Sequence, residues 1–199
     1  ALIASAVDGV FIAKSQVANW PVMGKICADM GTIFLNREDI GDIPRVTGLM
    51  EAALSRGEGV VLFPEGSSSA GAEVMPFHPP LLAAAARLGV PVHYAALRYA
   101  APPACAPAHL SICWWGDMEF TEHLAALFRL PGFDAALRFG AAPILDHNRK
   151  TLARQLHAAV DALFEPVIDP HTLARDRATL ETQWKQRAQA NTSRRTSMS

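Results

Sequence analysis

The sequence predicts an α/β fold, a mixed and mostly parallel sheet covered by helices, and three observations carry that prediction. Short β-branched or apolar runs alternate with stripes of helical period along the chain. Gly or Pro punctuates most of the boundaries between them. Half of the 199 residues are apolar and 19% are charged, enough apolar side chain for one shared core.

Taken in order, Val10-Phe11-Ile12-Ala13 is a buried strand, an unbroken apolar run. Pro21 opens a helix with Val22, Ile26 and Met30 on one face, and Gly31 stops it. Thr32-Ile33-Phe34-Leu35 is the second strand. Asp42 and Pro44 start a helix on which Val46, Leu49, Met50, Ala53 and Leu54 keep amphipathic spacing, and Gly57 closes it. Val60-Val61-Leu62-Phe63 is a strand halted by Pro64-Glu65-Gly66. Residues 81–88 are Ala-rich and helical, with Gly89 as the stop. Residues 90–97 begin a strand, where Pro91 is tolerated near the first position. Residues 110–115 read as a further strand, as does the alternating run 137–141. A last helix starts near Arg149, with Asn148 as cap and Leu152, Leu156, Val160 and Leu163 inward. Residues 1–167 therefore read as one domain without repeat or linker, and 168–199 as a polar, basic helix with a disordered tail.

Composition excludes several classes. A net charge of −1 argues against a general nucleic-acid binder. Cys27, Cys105 and Cys113 have neither disulfide-scaffold nor zinc-module spacing and fit a reducing compartment. Mean hydropathy is +0.14, high for a soluble domain, yet no run reaches the roughly 18 apolar residues of a membrane span. Charge is uneven: residues 171–199 carry net +4 and the remainder net −5. The basic end reads as a solvated helix end, or as a strip attracted to anionic headgroups. The chain opens within an apolar segment and without an initiator Met, and reads as missing its natural beginning.

Chemistry concentrates after two strands. Phe63-Pro64-Glu65-Gly66-Ser67-Ser68-Ser69 leaves a buried strand, where α/β proteins place ligands. Its glycine admits close backbone approach, and its hydroxyls and N–H groups suit a polar or anionic headgroup, although Pro, Gly and Ser also make ordinary turns. Arg37, just past the second strand, can offer a planar fork to a phosphate; alone, it would more simply pair with Glu38 or Asp39. The seven histidines lack metal-ligand spacing, and no G-x-S-x-G elbow surrounds Ser67.

Read together, these segments resemble the 1-acylglycerol-3-phosphate acyltransferases, a glycerolipid (lysophospholipid) acyltransferase family. The likeness runs through Phe11-Ile12-Ala13-Lys14, Trp20-Pro21 and Gly24, then Gly31-x-x-Phe34-x-x-Arg37, Phe63-Pro64-Glu65-Gly66 and Val90-Pro91-Val92. Trp114-Trp115-Gly116-Asp117-Met118 and Phe139-Gly140 add to it. The resemblance implies a glycerol-3-phosphate acyltransferase-like αβα fold and a substrate site made of Gly31, Phe34, Arg37, Phe63, Pro64, Glu65, Gly66, Ser67 and Ser68. Two roles are open to Glu65, organising the loop or binding an acceptor hydroxyl.

The resemblance also implies direct acyl transfer from acyl-CoA or acyl carrier protein to a lysolipid hydroxyl, with no cofactor, metal or covalent acyl-enzyme. The family's first motif, H-x-x-x-x-D, whose His is its base, is expected to be absent from this chain. Its expected place and that of its Asp lie just before Ala1, so no catalytic residue is expected in this chain, and His78 and His93 are no substitutes. Ser67-Ser68-Ser69 replaces the common Thr-Arg-Ser, which points to an acceptor other than plain lysophosphatidic acid, such as a lyso-ornithine lipid. Expected partners are lysolipid, acyl donor, a carrier protein and a membrane surface, at the cytoplasmic face of a bacterial inner membrane. Trp114, Trp115 and residues 128–133 are candidates for interfacial contact, or for ordinary packing. Two other readings are a non-catalytic lipid-binding module of this fold and a serine hydrolase of lipid esters using Ser67.

Overall fold

The computed structural model of the chain describes residues 2–20, 23–39 and 41–196, with the backbone alone for residues 2, 4, 185 and 187–196. In chain order the elements are α1 (Leu2–Ala6), β1 (Val10–Lys14), a 3-10 turn (Ser15–Asn19), α2 (Met23–Asp29), β2 (Ile33–Leu35), α3 (Asp42–Ser55) and β3 (Val60–Val61). A second 3-10 turn (Pro79–Leu82) runs into α4 (Ala83–Leu88). There follow β4 (Ala95–Ala100), α5 (Ala108–Ser111), α6 (Phe120–Leu127), β5 (Asp134–Phe139), α7 (Arg149–Asp161) and α8 (Pro170–Thr196). They form two compact units: residues 1–66, 76–94 and 139–160 make the first, and 67–75, 95–138 and 161–199 the second.

The first unit is built on a parallel sheet in the order β2-β1-β3, with Ile12 opposite Ile33 and Val10 opposite Val60. Parallel neighbours need a crossover, and α2 and α3 supply the two. The α/β class predicted from the alternation is the observed one. α3 lays Val46 and Met50 on Ile33 and Leu35, with Leu81 and Ala84 closing that core. A second cluster joins Leu82 and Ala86 to Leu152, Ala153 and Leu156 of α7. The small side chains of α4 thus serve two cores from adjacent faces. Asn148 caps α7 as expected, its Oδ1 accepting from the N–H groups of Lys150 at 2.9 Å and Thr151 at 3.3 Å.

Several expectations need correction. The strand after Gly59 keeps only two residues, because Leu62 and Phe63 already bend toward the Pro64 turn. The strand expected over 90–97 starts at Ala95; Val92 makes only an isolated antiparallel bridge to Ile144. Leu49, placed on the inward face of α3, is 42% exposed. Leu163 lies past the end of α7. Met30 lies just past the end of α2, and it, Ile26 and Met23 are open to solvent. Pro21 and Val22 lie outside the described residues.

The second unit holds the β4-β5 ladder and a core of Ala70, Cys113 and Trp115 packed by Tyr99, Val167, Leu180 and Trp184. The strand expected over 110–115 is instead helix α5 followed by irregular chain. Pro107 starts that turn, and the Ser111 hydroxyl donates back to the Ala106 carbonyl at 2.8 Å. The Trp115 indole is buried rather than interfacial: it donates to the His109 carbonyl at 2.6 Å and meets Trp184 edge-on at 5.0 Å. Trp114 donates to the Met118 carbonyl and packs edge-on against Phe120 at 5.2 Å. By contrast Phe128 is 80% exposed. α8 starts at Pro170, with Asp169 Oδ2 accepting from the Thr172 N–H at 2.7 Å. Residues 197–199 of the tail lie outside the described ones.

Candidate functional site

The candidate site of the first unit lies at the C-terminal exits of β2 and β3, where parallel sheets open their crevices. Gly31, at φ +71°, ends α2 and turns the chain into β2. Phe34 is half-buried in that strand, and its carbonyl accepts from Arg45 Nη2 at 2.6 Å. Asp42 Oδ2 accepts from the Asn36 N–H at 2.7 Å, and the same carboxylate binds Arg45. Asp42 and Arg45 thus clip the strand exit to the first turn of α3. The Arg45 hydrogen bond, then the Asn36 N–H, hold the Asp42 carboxyl below its ordinary range. Nothing in the sequence pattern singled out this clip.

Arg37 projects from the clipped loop. Its guanidinium makes no hydrogen bond or ion pair among the described residues, so the pairing with Glu38 or Asp39 does not form. The N–H of Glu38 is taken by Asn36 Oδ1, and Asp39 Oδ1 serves the Gly41 N–H. Partial burial lowers the Arg37 pKa, though an arginine there stays charged. Lys14, at the end of β1 and in register with Leu35, is the neighbouring cation. Burial first, and the Arg37 charge second, lower its pKa. Lys14 was quoted in the sequence only as part of a family segment; its share in this positive field is visible in the fold alone.

The second wall is the turn Phe63–Gly66, closed by Gly66 N–H donating to the Phe63 carbonyl at 3.0 Å, with Pro64 in its favoured second position. The Pro64 carbonyl also accepts from the His78 N–H at 2.8 Å. Gly66 is buried at φ +72°, a conformation glycine alone adopts without penalty. A Cβ there would stand 2.7 Å from His78 Cδ2 and 3.7 Å from Arg37 Nη1. The fold therefore brings Arg37, Gly66 and His78 together. Phe63 is 49% exposed beside them, and Glu65 is half-buried.

Ser67 and Ser68 are exposed and belong to the second unit, while residues through Gly66 belong to the first. Neither hydroxyl makes a hydrogen bond among the described residues, so no serine–histidine pair supports the hydrolase reading there. The spacing H-x-x-x-x-D does occur once, as His171 and Asp176 on α8, contrary to its expected absence from the chain. Five residues of helix separate their directions by about 140°, and Asp176 instead accepts from Arg175 Nε at 2.9 Å. That pair has no resemblance in place to the family motif ahead of β1.

Comparison with known proteins gives the following. A family model described as Acyltransferase matches residues 1–97. The chain is 32% identical over 188 residues to the lyso-ornithine lipid O-acyltransferase of Brucella abortus, covering 84% of this chain and 67% of that protein. It is 32% identical over 163 residues to the lyso-ornithine lipid O-acyltransferase of Rhodobacter capsulatus, covering 75% and 56%. It is 37% identical over 112 residues to the 1-acyl-sn-glycerol-3-phosphate acyltransferase of Neisseria gonorrhoeae, covering 53% and 44%. The solved 1-acyl-sn-glycerophosphate (LPA) acyltransferase PlsC of Thermotoga maritima matches with TM-score 0.43 and 19% identity over 78% of this chain and 56% of that one. The chain thus spans two thirds of the Brucella protein and about half of the other relatives.

Proposed function

This chain belongs to the acyltransferase family that includes the lyso-ornithine lipid and 1-acyl-sn-glycerol-3-phosphate acyltransferases, and on that premise we propose that it transfers a fatty acyl group to the free hydroxyl of a lysolipid. The observation that carries the reading is Arg37: a guanidinium with no carboxylate partner among the described residues, on a loop clipped by Asp42 and Arg45 and close to the Gly66 turn. Such a group binds an oxyanion. The acceptor is a lysolipid with a phosphate or carboxylate headgroup, 1-acylglycerol-3-phosphate or a lyso-ornithine lipid, and the resemblance to relatives of both kinds supports it.

The donor is the thioester of coenzyme A or of acyl carrier protein. In the transfer, the acceptor hydroxyl oxygen attacks the thioester carbonyl. The C–O ester bond forms, the C–S bond breaks, and the thiol leaves with the proton the hydroxyl gave up. General-base assistance of that proton transfer is worth about 10²–10⁴-fold. Arg37 and the Phe63–Gly66 turn hold the headgroup while this occurs, and the chemistry needs neither metal nor cofactor.

A bilayer-resident acceptor places the work at a membrane surface, the cytoplasmic face of a bacterial inner membrane in this reading. The exposed apolar side chains of Met23 and Ile26 on α2 and of Met30 just past its end, immediately before Gly31 and β2, support it. No helix among the described residues is long and apolar enough to cross a membrane.

The deciding assay supplies the full natural protein with labelled acyl-CoA or acyl carrier protein and a panel of lysolipids. Transfer of label to one class of lysolipid is expected. Release of the label as free fatty acid, unaffected by any acceptor, overturns the reading in favour of a hydrolase.

A further inference from the structure

His78 stands outside every motif that led to the site, twelve residues beyond the turn it touches. Its ring packs directly on the Gly66 backbone: a Cβ at Gly66 would lie 2.7 Å from Cδ2 and 3.0 Å from Nε2. The same point is 3.7 Å from Arg37 Nη1. His78 Nε2 and Arg37 Nη1 therefore lie beside Gly66 and no more than about 7 Å apart. An oxyanion whose two oxygens each accept one N–H bond at about 2.8 Å bridges donors up to about 8 Å apart. Neither ring nitrogen of His78 makes a hydrogen bond among the described residues, and the side chain is exposed.

We infer that His78 is a headgroup-binding residue, its Nε2–H and the Arg37 guanidinium gripping one oxyanion of the acceptor between them over Gly66. The inference rests on the reading of this site as one for a lysolipid headgroup. It assigns Gly66 a second task. A side chain there would displace the His78 ring as well as strain the turn. The backbone bond from His78 N–H to the Pro64 carbonyl at 2.8 Å fixes the ring's starting point, so the donor is positioned before the ligand arrives. Burial and the like charge of Arg37 both act against the charged form of Lys14 nearby, and an anion bound between Arg37 and His78 relieves that repulsion.

A phosphate and a carboxylate share this oxyanion chemistry, so the test carries both. Isothermal titration of the protein with short-chain 1-acylglycerol-3-phosphate and with a short-chain lyso-ornithine lipid compares wild type, His78→Phe, His78→Gln and Arg37→Ala. Phe keeps a ring against Gly66 and loses the N–H; Gln keeps a donor and loses the ring. His78→Phe is expected to weaken binding of the preferred headgroup about tenfold, with unchanged thermal unfolding, and His78→Gln to stay within about threefold of wild type. The KM for the acceptor should rise in His78→Phe while the KM for the acyl donor holds. Unaltered binding by His78→Phe, with Arg37→Ala defective, overturns the inference and leaves the lysolipid reading standing. Failure of wild type to bind either lysolipid overturns both.

Discussion

Two groups of cationic side chains, one in each unit, are treated in opposite ways. In the second unit Arg98 of β4 and Arg138 of β5 converge on a single carboxylate, Glu165, at 3.6 and 2.5 Å. In the first, Arg37 has no carboxylate partner among the described residues, and its cationic neighbour Lys14 is pushed toward its neutral form by burial and then by the Arg37 charge. A guanidinium already neutralised within the fold has spent its binding capacity. One held by backbone clips, with its fork open, keeps that capacity for a ligand. The contrast sets arginines paired within the fold apart from the one that the proposed function assigns to the headgroup.

The sharpest way to break the contrast is Arg37→Ala in the full natural protein. Loss of a charged hydrogen-bonding group costs about 1.5–3 kcal/mol of binding, so the KM for the acceptor should rise roughly 10–100-fold, with the KM for the acyl donor unmoved. An equal rise in both would make Arg37 structural, like Arg98. Next in size is Gly66→Ala. A side chain forced to φ +72° against the His78 ring should cost about 1–2 kcal/mol of folding stability, read by urea denaturation, together with weakened acceptor binding. Smaller again is Glu165→Gln, which leaves Arg98 and Arg138 facing each other. All three side chains are about half exposed, so the loss should stay under about 1 kcal/mol and leave acceptor KM unchanged.

Smallest is a pH effect confined to the second unit. Burial, opposed by the Asp176 charge, lowers the His109 pKa, so the native state favours the neutral ring. The stability this contributes is complete above the ordinary histidine value of about 6.5 and declines as pH falls through the lower folded value. The melting temperature should therefore drop between pH 7 and 5, and His109→Gln should flatten that slope. A slope identical in the variant would place the titration elsewhere.

Legibility from sequence followed the range of the forces involved. β1, β2, α3 and the Asn148 cap of α7 were readable because apolar period and capping act within a few residues. The apolar run 110–115 misled, since a buried run has no period to separate strand from turn. The segment turns at Pro107 instead, and the Trp115 indole reaches back to the His109 carbonyl. The Phe63–Gly66 turn and Arg37 stand out by their places after two strands, an ordinary turn or a Glu38 or Asp39 ion pair being open to each, and family likeness joins them into one site. His78 and Lys14 were not visible as site residues. Their approach to Arg37 is a product of sheet register and of the backbone bond from His78 to Pro64. The clip of Asp42 and Arg45 on β2 was hidden for the same reason.

The interleaving of the two units has a consequence during synthesis. The chain leaves the first unit at Gly66 and does not finish it until residue 160. As it emerges from the ribosome, β1, β2, α3 and β3 can assemble early, because all their strand pairings precede residue 62, with Leu81 and Ala84 following soon after to close their core. The face of Leu82 and Ala86 cannot be covered until Leu152 and Leu156 appear, after most of the second unit has already been made. For that interval a greasy, alanine-lined surface stands open on a half-built protein, a natural landing place for chaperones and a point of vulnerability to premature termination.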